Sequence, residues 1–232
     1  MLGIIGAMAD EVKQIKEQLT DVQVETRAAM DFYKGRLGGK EVVVVQSGIG
    51  KVNAAICAQI LADIYKVSAV VNTGIAGSLK AEIDIGDIVI SEDALQHDVD
   101  AEAFGYEPRQ IPQLDTFSFK ADKRLIELAE ECCSRVNPDI HTFLGRVVTG
   151  DQFVSQKEKK EWLTKTFGGS CTEMEGGAIA QACYLNNVPF LILRAISDKA
   201  DDSASMDYPA FEAKAIQHSV NLMIEMIQNY EA

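Results

Sequence analysis

Positive charge is what this sequence most conspicuously lacks. Against 35 aspartates and glutamates it carries 22 lysines and arginines, a formal net charge of −13. Such a balance offers nothing to neutralise a phosphate backbone, which argues against a nucleic-acid partner. Histidine is scarce as well: His97, His141 and His218 are scattered, so no histidine-based metal site is expected. The five cysteines, Cys57, Cys132, Cys133, Cys171 and Cys183, are odd in number and show no C-x-x-C spacing. Buried, reduced thiols in a cytoplasmic protein are the expectation. No apolar stretch approaches a membrane span, and residues 2–8, with Asp10-Glu11 behind them, are too short and too acidic behind to read as a signal peptide. Without repeats, low-complexity segments or a linker, the chain reads as one domain over 1–232, long enough to bury a substantial core.

What is present is an alternation of apolar runs with helical periodicity. Residues 2–5 read as a short buried strand leaving through Gly6-Ala7-Met8, and Val12, Ile15 and Leu19 then recur at helical spacing. Residues 31–37 and 41–46 flank Gly38-Gly39, a hairpin signal, and the four valines at 42–45 are too apolar for a strand with a wet face. Further strands are expected over 69–72, 141–149 and 190–196, the first ending in the turn Thr73-Gly74-Ile75-Ala76-Gly77-Ser78. Helices are expected over 122–136, 157–165 and 208–230. A non-periodic loop covers 98–119 and an acidic loop covers 199–207. Strands alternating with helices predict an α/β fold, a largely parallel sheet between helical layers with some antiparallel pairing at the hairpin.

Carboxylates recur where these elements meet. Glu173 and Glu175 precede the small-residue helix that starts at Gly176, Asp198 follows the apolar run 190–196, and Glu11 opens the first helix. In an α/β sheet, ligands bind at the carboxyl ends of strands. Ordinary capping and the helix dipole account for acids at helix starts equally well. The segment Ser47-Gly48-Ile49-Gly50-Lys51 looks superficially like a phosphate loop. A P-loop needs glycine where Val45 stands and Ser or Thr where Val52 stands, and a dinucleotide fingerprint needs glycine at Asn53. There is no Cys/His pair, no Ser/His/Asp signature and no metal cluster, so neither cofactor nor metal is expected. Carboxylates mixed with Phe153, Met174 and glycines suit acid–base work on a neutral ligand with a flat ring and hydroxyls. Glycoside cleavage is one such reaction.

The motifs in order carry a resemblance. Residues 3–8, Ser47-Gly48-Ile49-Gly50-Lys51, Asn72-Thr73-Gly74, His97-Asp98, Ala103-Phe104-Gly105-Tyr106, Gly150-Asp151, Glu173-Met174-Glu175 and Arg194-Ala195-Ile196-Ser197-Asp198 together closely resemble the bacterial 5′-methylthioadenosine/S-adenosylhomocysteine nucleosidases, over essentially the whole chain. The resemblance implies a nucleoside phosphorylase-like fold: a three-layer αβα sandwich around a central mixed, mostly parallel sheet, in a homodimer. It implies hydrolysis of the N-glycosidic bond of methylthioadenosine, S-adenosylhomocysteine and 5′-deoxyadenosine, in support of methionine salvage. By position, Asp198 is the acid that protonates adenine N7 and Glu11 the base for water. Glu175 holds the ribose, Met174 packs under it, Phe153 stacks on the purine, and the Val154 backbone hydrogen-bonds it. Ser197 and Gly77 position base and loop, and Arg194 anchors the carboxylates. Ile49 and Tyr208 line the alkylthio pocket, which Ala101 and Phe104 of the partner subunit complete. Ile75 departs from the Ser or Thr of many relatives, and Ala101 from a branched residue. A phosphate-dependent purine nucleoside phosphorylase and a non-catalytic nucleoside-binding module are the competing readings.

Overall fold

A computed structural model describes residues 1–108, 110–201 and 203–231. Among the described residues ten strands form one sheet. The first strand, β1 (Leu2–Gly6), is buried along its whole length, followed by α1 (Ala9–Glu17), β2 (Thr20–Arg27), β3 (Met30–Leu37) and β4 (Lys40–Gln46). Next come α2 (Lys51–Asp63), β5 (Ala69–Ser78), β6 (Ile88–Gln96), β7 (Phe119–Lys120) and α3 (Lys123–Val136). The chain continues through β8 (Thr142–Thr149), α4 (Lys157–Phe167), β9 (Cys171–Glu173), α5 (Gly176–Asn186), β10 (Phe190–Asp198) and α6 (Ala204–Asn229).

The centre of the sheet runs β5-β1-β4, all parallel. From β1 the chain crosses one way to β4 through α1, and from β4 back past β1 to β5 through α2. Right-handed crossovers in opposite directions put the two helices on opposite faces. Accordingly α1 packs with α6, which also packs with α3, while α2 packs with α5 on the other side. Val42 to Val45, covered from both sides, are fully buried. Beyond β5 the sheet closes on itself: β5 pairs with β10, β10 with β6, β6 with β8, β8 with β9, and β9 back with β5. The hairpin at Gly38-Gly39 forms as the sequence predicts, joining β3 and β4, with both glycines at positive φ.

Several expectations need correction. The segment Thr73 to Ser78 is not a turn but the second half of β5, because β10 continues beside it as far as Asp198. The exposed edge strand β2 carries no apolar run, so its sequence gives little sign of it. The acidic loop is shorter than 199–207, since α6 begins at Ala204. Among its described residues, the loop over 98–119 holds a single 3₁₀ turn at Glu102–Phe104. Positions 109 and 202, inside these two loops, lie outside the described residues. All five cysteines are free and buried, and no described helix is long and apolar enough to cross a membrane.

Candidate active site

Parallel strands deliver their carboxyl ends to one edge of the sheet, and the acids collect there. A cavity of about 230 Å³ opens at this edge. Its wall includes Glu11, Glu175 and Asp198, with Ile49, Gly77, Phe153, Val154, Met174, Ser197 and Tyr208. Ten of the thirteen residues named for the site from sequence thus share one cavity.

Each acid is held by backbone donors. Glu11 sits in the first turn of α1 and accepts the N–H of Met8 at 2.9 Å and of Ile75 at 3.3 Å. Glu11 therefore both opens α1 and lines the cavity. Glu175 is the N-cap of α5 and accepts the N–H of Gly50 at 2.8 Å, from the start of α2. Asp198, the last residue of β10, accepts the Ala200 N–H at 2.7 Å and the Ser197 hydroxyl at 2.9 Å. Two glycines make room. A Cβ on Gly74 would lie 2.8 Å from Glu11 Oε1, and one on Gly77 would lie 2.7 Å from Asp198 Oδ1.

Burial favours the neutral form of all three carboxyls. It raises Glu11, against the opposing Met8 N–H and the Arg194 charge. It raises Glu175 to about 7, with the Glu173 charge adding to the effect. It raises Asp198 too, offset by the hydrogen bonds from Ala200 and Ser197 and reinforced by Asp207 and Asp201. A cavity whose acids are all raised by burial, Glu175 to about 7, is equipped for general acid–base chemistry.

Arg194, expected to anchor the carboxylates, is not among the residues that line the cavity. It is 1% exposed beneath the floor, where its guanidinium donates to Glu173, Asn72 Oδ1 and the Leu193 carbonyl. Glu173 is saturated by Arg194, the Thr149 hydroxyl and the N–H groups of Glu175 and Gly176. Its oxygens are fully occupied by these donors, which gives it a structural place. Ala101 and Phe104 also lie away from this cavity, with Phe104 85% exposed on the 3₁₀ turn. Sequence reasoning did not find Met8, Gln152 and Thr172, which share the wall. Met8 and Gln152 follow strand ends, a usable signal; Thr172 stands in a three-residue strand that no pattern marks.

Behind the cavity, three loops are clasped together. The Lys51 ammonium pairs with Asp98 at 2.6 Å, Asp98 accepts the Asp151 N–H at 3.0 Å, and Asp151 accepts the Lys51 N–H at 2.8 Å. Among the described residues, no group of three His, Cys, Asp or Glu is arranged to hold a metal ion.

Comparison with known proteins gives a consistent picture. The phosphorylase superfamily model matches residues 1–228. The 5′-methylthioadenosine/S-adenosylhomocysteine nucleosidase of Staphylococcus aureus strain JH9 is 44% identical over 216 residues, 93% of each chain. Among solved structures, the nucleosidase of the same name from Neisseria meningitidis, in complex with methylthio-immucillin-A, superimposes with a TM-score of 0.94 at 36% identity, covering 99% of each chain. The futalosine hydrolase of Helicobacter pylori, in native form, gives a TM-score of 0.93 at 34% identity, over 99% of this chain and 97% of that one.

Proposed function

Because the chain belongs to the 5′-methylthioadenosine/S-adenosylhomocysteine nucleosidase family of the phosphorylase superfamily, we propose that it hydrolyses the N-glycosidic bond of these two nucleosides and of 5′-deoxyadenosine. The products are adenine and the 5-substituted ribose. The observation that carries the reading is the convergence of Glu11, Glu175 and Asp198, all raised by burial, in one cavity.

In this mechanism the protonated carboxyl of Asp198 donates to N7 of the purine. The electron pair of the C1′–N9 bond then leaves with a neutral base, and positive charge develops on the sugar. Glu175 accepts the ribose hydroxyls and stabilises that charge. Ionised Glu11 takes a proton from the attacking water as its oxygen bonds C1′. Phe153 stacks on the base while the Val154 backbone hydrogen-bonds its edge. Met174 packs under the ribose, and Ser197 orients the Asp198 carboxyl. Ile75, with no side-chain hydroxyl to offer, contributes its N–H to Glu11. Arg194 acts from below by holding Glu173.

Water rather than phosphate is the acceptor, since phosphate capture calls for cationic donors. No lysine, arginine or histidine is among the described residues lining the cavity. A homodimer completes the site: Ala101 and Phe104 of one subunit close the partner's alkylthio pocket beside Ile49 and Tyr208. Adenine release is expected without added phosphate and nearly lost in Asp198→Asn, by about 10²–10⁴. Ribose 1-phosphate as the product, or unchanged turnover in the variant, would refute this assignment.

A further inference from the structure

One hydroxyl in the cavity wall has no duty in this reaction. Thr172 lines the cavity at 6% exposure, and its Oγ1 is buried without a hydrogen-bond partner among the described residues. Native interiors leave few hydroxyls in that condition, because the group has given up water and received nothing in return.

The sheet register says what this residue stands beside. Thr172 in β9 pairs with Gly77 in β5, and Gly77 pairs with Asp198 in β10. Directly paired residues project to the same face of a sheet. The β10–β5 register shifts between Ile196 and Asp198, but the Asp198 carboxyl leans into the space a side chain on Gly77 would fill, and so onto the face that Thr172 shares with Gly77. On its other side Thr172 pairs with Val148 of β8, whose exit loop brings Val154 to the cavity. The wall thus runs from a carboxyl, past a glycine and an unpaired hydroxyl, to the Val154 loop.

The corresponding edge of adenine carries N7 as acceptor with the 6-amino group next to it. With N7 at Asp198, the substituent on C6 is the next atom along the row toward Val154. We infer that Thr172 is a specificity residue of the base pocket, its hydroxyl hydrogen-bonding the exocyclic group at C6 of the purine. The inference rests on the reading of Asp198 as the N7 donor. A hydroxyl oxygen accepts from an amine N–H, and its own O–H rotates to donate to an oxygen, so the contact reads the presence of a C6 substituent. A base without one leaves the hydroxyl unpaired in the complex, and sites built to hydrogen-bond a group reject analogues lacking it.

The test compares kcat/KM on methylthioadenosine and on its analogue with hydrogen in place of the 6-amino group, for the native protein, Thr172→Val and Thr172→Ser. Thr172→Val is expected to lose on the order of tenfold on methylthioadenosine and little on the analogue. Thr172→Ser, which keeps a hydroxyl, retains the native ratio. Thr172→Ala carries the same expectation as valine should the valine variant not fold. An unchanged ratio in an active Thr172→Val protein overturns the inference and leaves the nucleosidase reading intact. So does a lower melting temperature with an unchanged ratio, which assigns the hydroxyl to folding. A native protein that releases no base from methylthioadenosine sinks the reading and the inference together.

Discussion

Glu173 and Glu175 stand two positions apart and have opposite duties. Glu173 ends β9 at the cavity wall, where four donors, one of them the charged Arg194, surround it. Glu175 caps α5, faces the cavity and has one backbone donor, Gly50. The difference leaves Glu175 with a pKa of about 7, above the ordinary 4.5. A carboxyl raised on folding binds protons more tightly in the folded than in the unfolded chain. Its contribution to stability is present below pH 4.5 and is lost as pH rises through 7. Glu11 and Asp198, also raised, act in the same direction. His97, lowered by burial to about 4, opposes them below its ordinary 6.5, so the free protein is expected to lose melting temperature above about pH 6.5, as Glu175 ionises. Glu175→Gln, neutral throughout, should flatten that decline by an amount on the order of 3 kcal/mol. Equal slopes in calorimetric scans of native and variant protein would show that Glu175 is ionised across the range.

At the scale of elements, the site depends on how loops after different strands are fastened to one another. The clasp of Lys51, Asp98 and Asp151 joins the exits of β4, β6 and β8. One of these loops presents the Gly50 N–H to Glu175, and another carries Phe153 and Val154. Breaking the clasp therefore disturbs the sugar and base ends of the cavity together. Lys51 and Asp98 are each about one-fifth exposed at the side chain, so the pair is shielded from water more than a surface ion pair. Asp98→Asn is expected to raise KM for methylthioadenosine about fivefold, equivalent to about 1 kcal/mol, with a smaller change in kcat. Steady-state kinetics beside Lys51→Met and the double variant check this. Fully additive losses would show that the two residues do not act through each other.

At the scale of the whole molecule, the face carrying α2 and α5 is left apolar. Val52 is 71% exposed and Leu185 59%, on the two helices that pack together there. A solvent-facing apolar patch of this kind is a candidate interaction surface, and the proposed homodimer would place the second copy against it. Val52→Asp and Leu185→Asp are expected to shift sedimentation from dimer to monomer and to lower activity at least tenfold, on the order of the interface contribution of a buried apolar anchor. Monomers with full activity would show each site to be complete within one subunit.

Much of this architecture is legible in local patterns. The valine run marks a strand covered on both faces, Gly38-Gly39 marks the hairpin, and the ordered motifs around Glu11, Glu175 and Asp198 point to one family and one chemistry. These signals survive in sequence because each depends on neighbours along the chain: side-chain periodicity, turn conformation and the residues that flank a strand end. What depended on tertiary structure was the extension of β5 through Ser78, the burial of Arg194 beneath the cavity, and the place of Thr172 in its wall. Each of these is set by a strand or loop distant in sequence. β10 runs on beside β5, Glu173 and Asn72 neutralise and bind the arginine, and the register β9–β5–β10 sets Thr172 two strands from Asp198. The amino-acid sequence by itself determined which acids the protein has to work with; the closing of the sheet decided which of them share a cavity, because only there do burial and fixed backbone donors set their protonation.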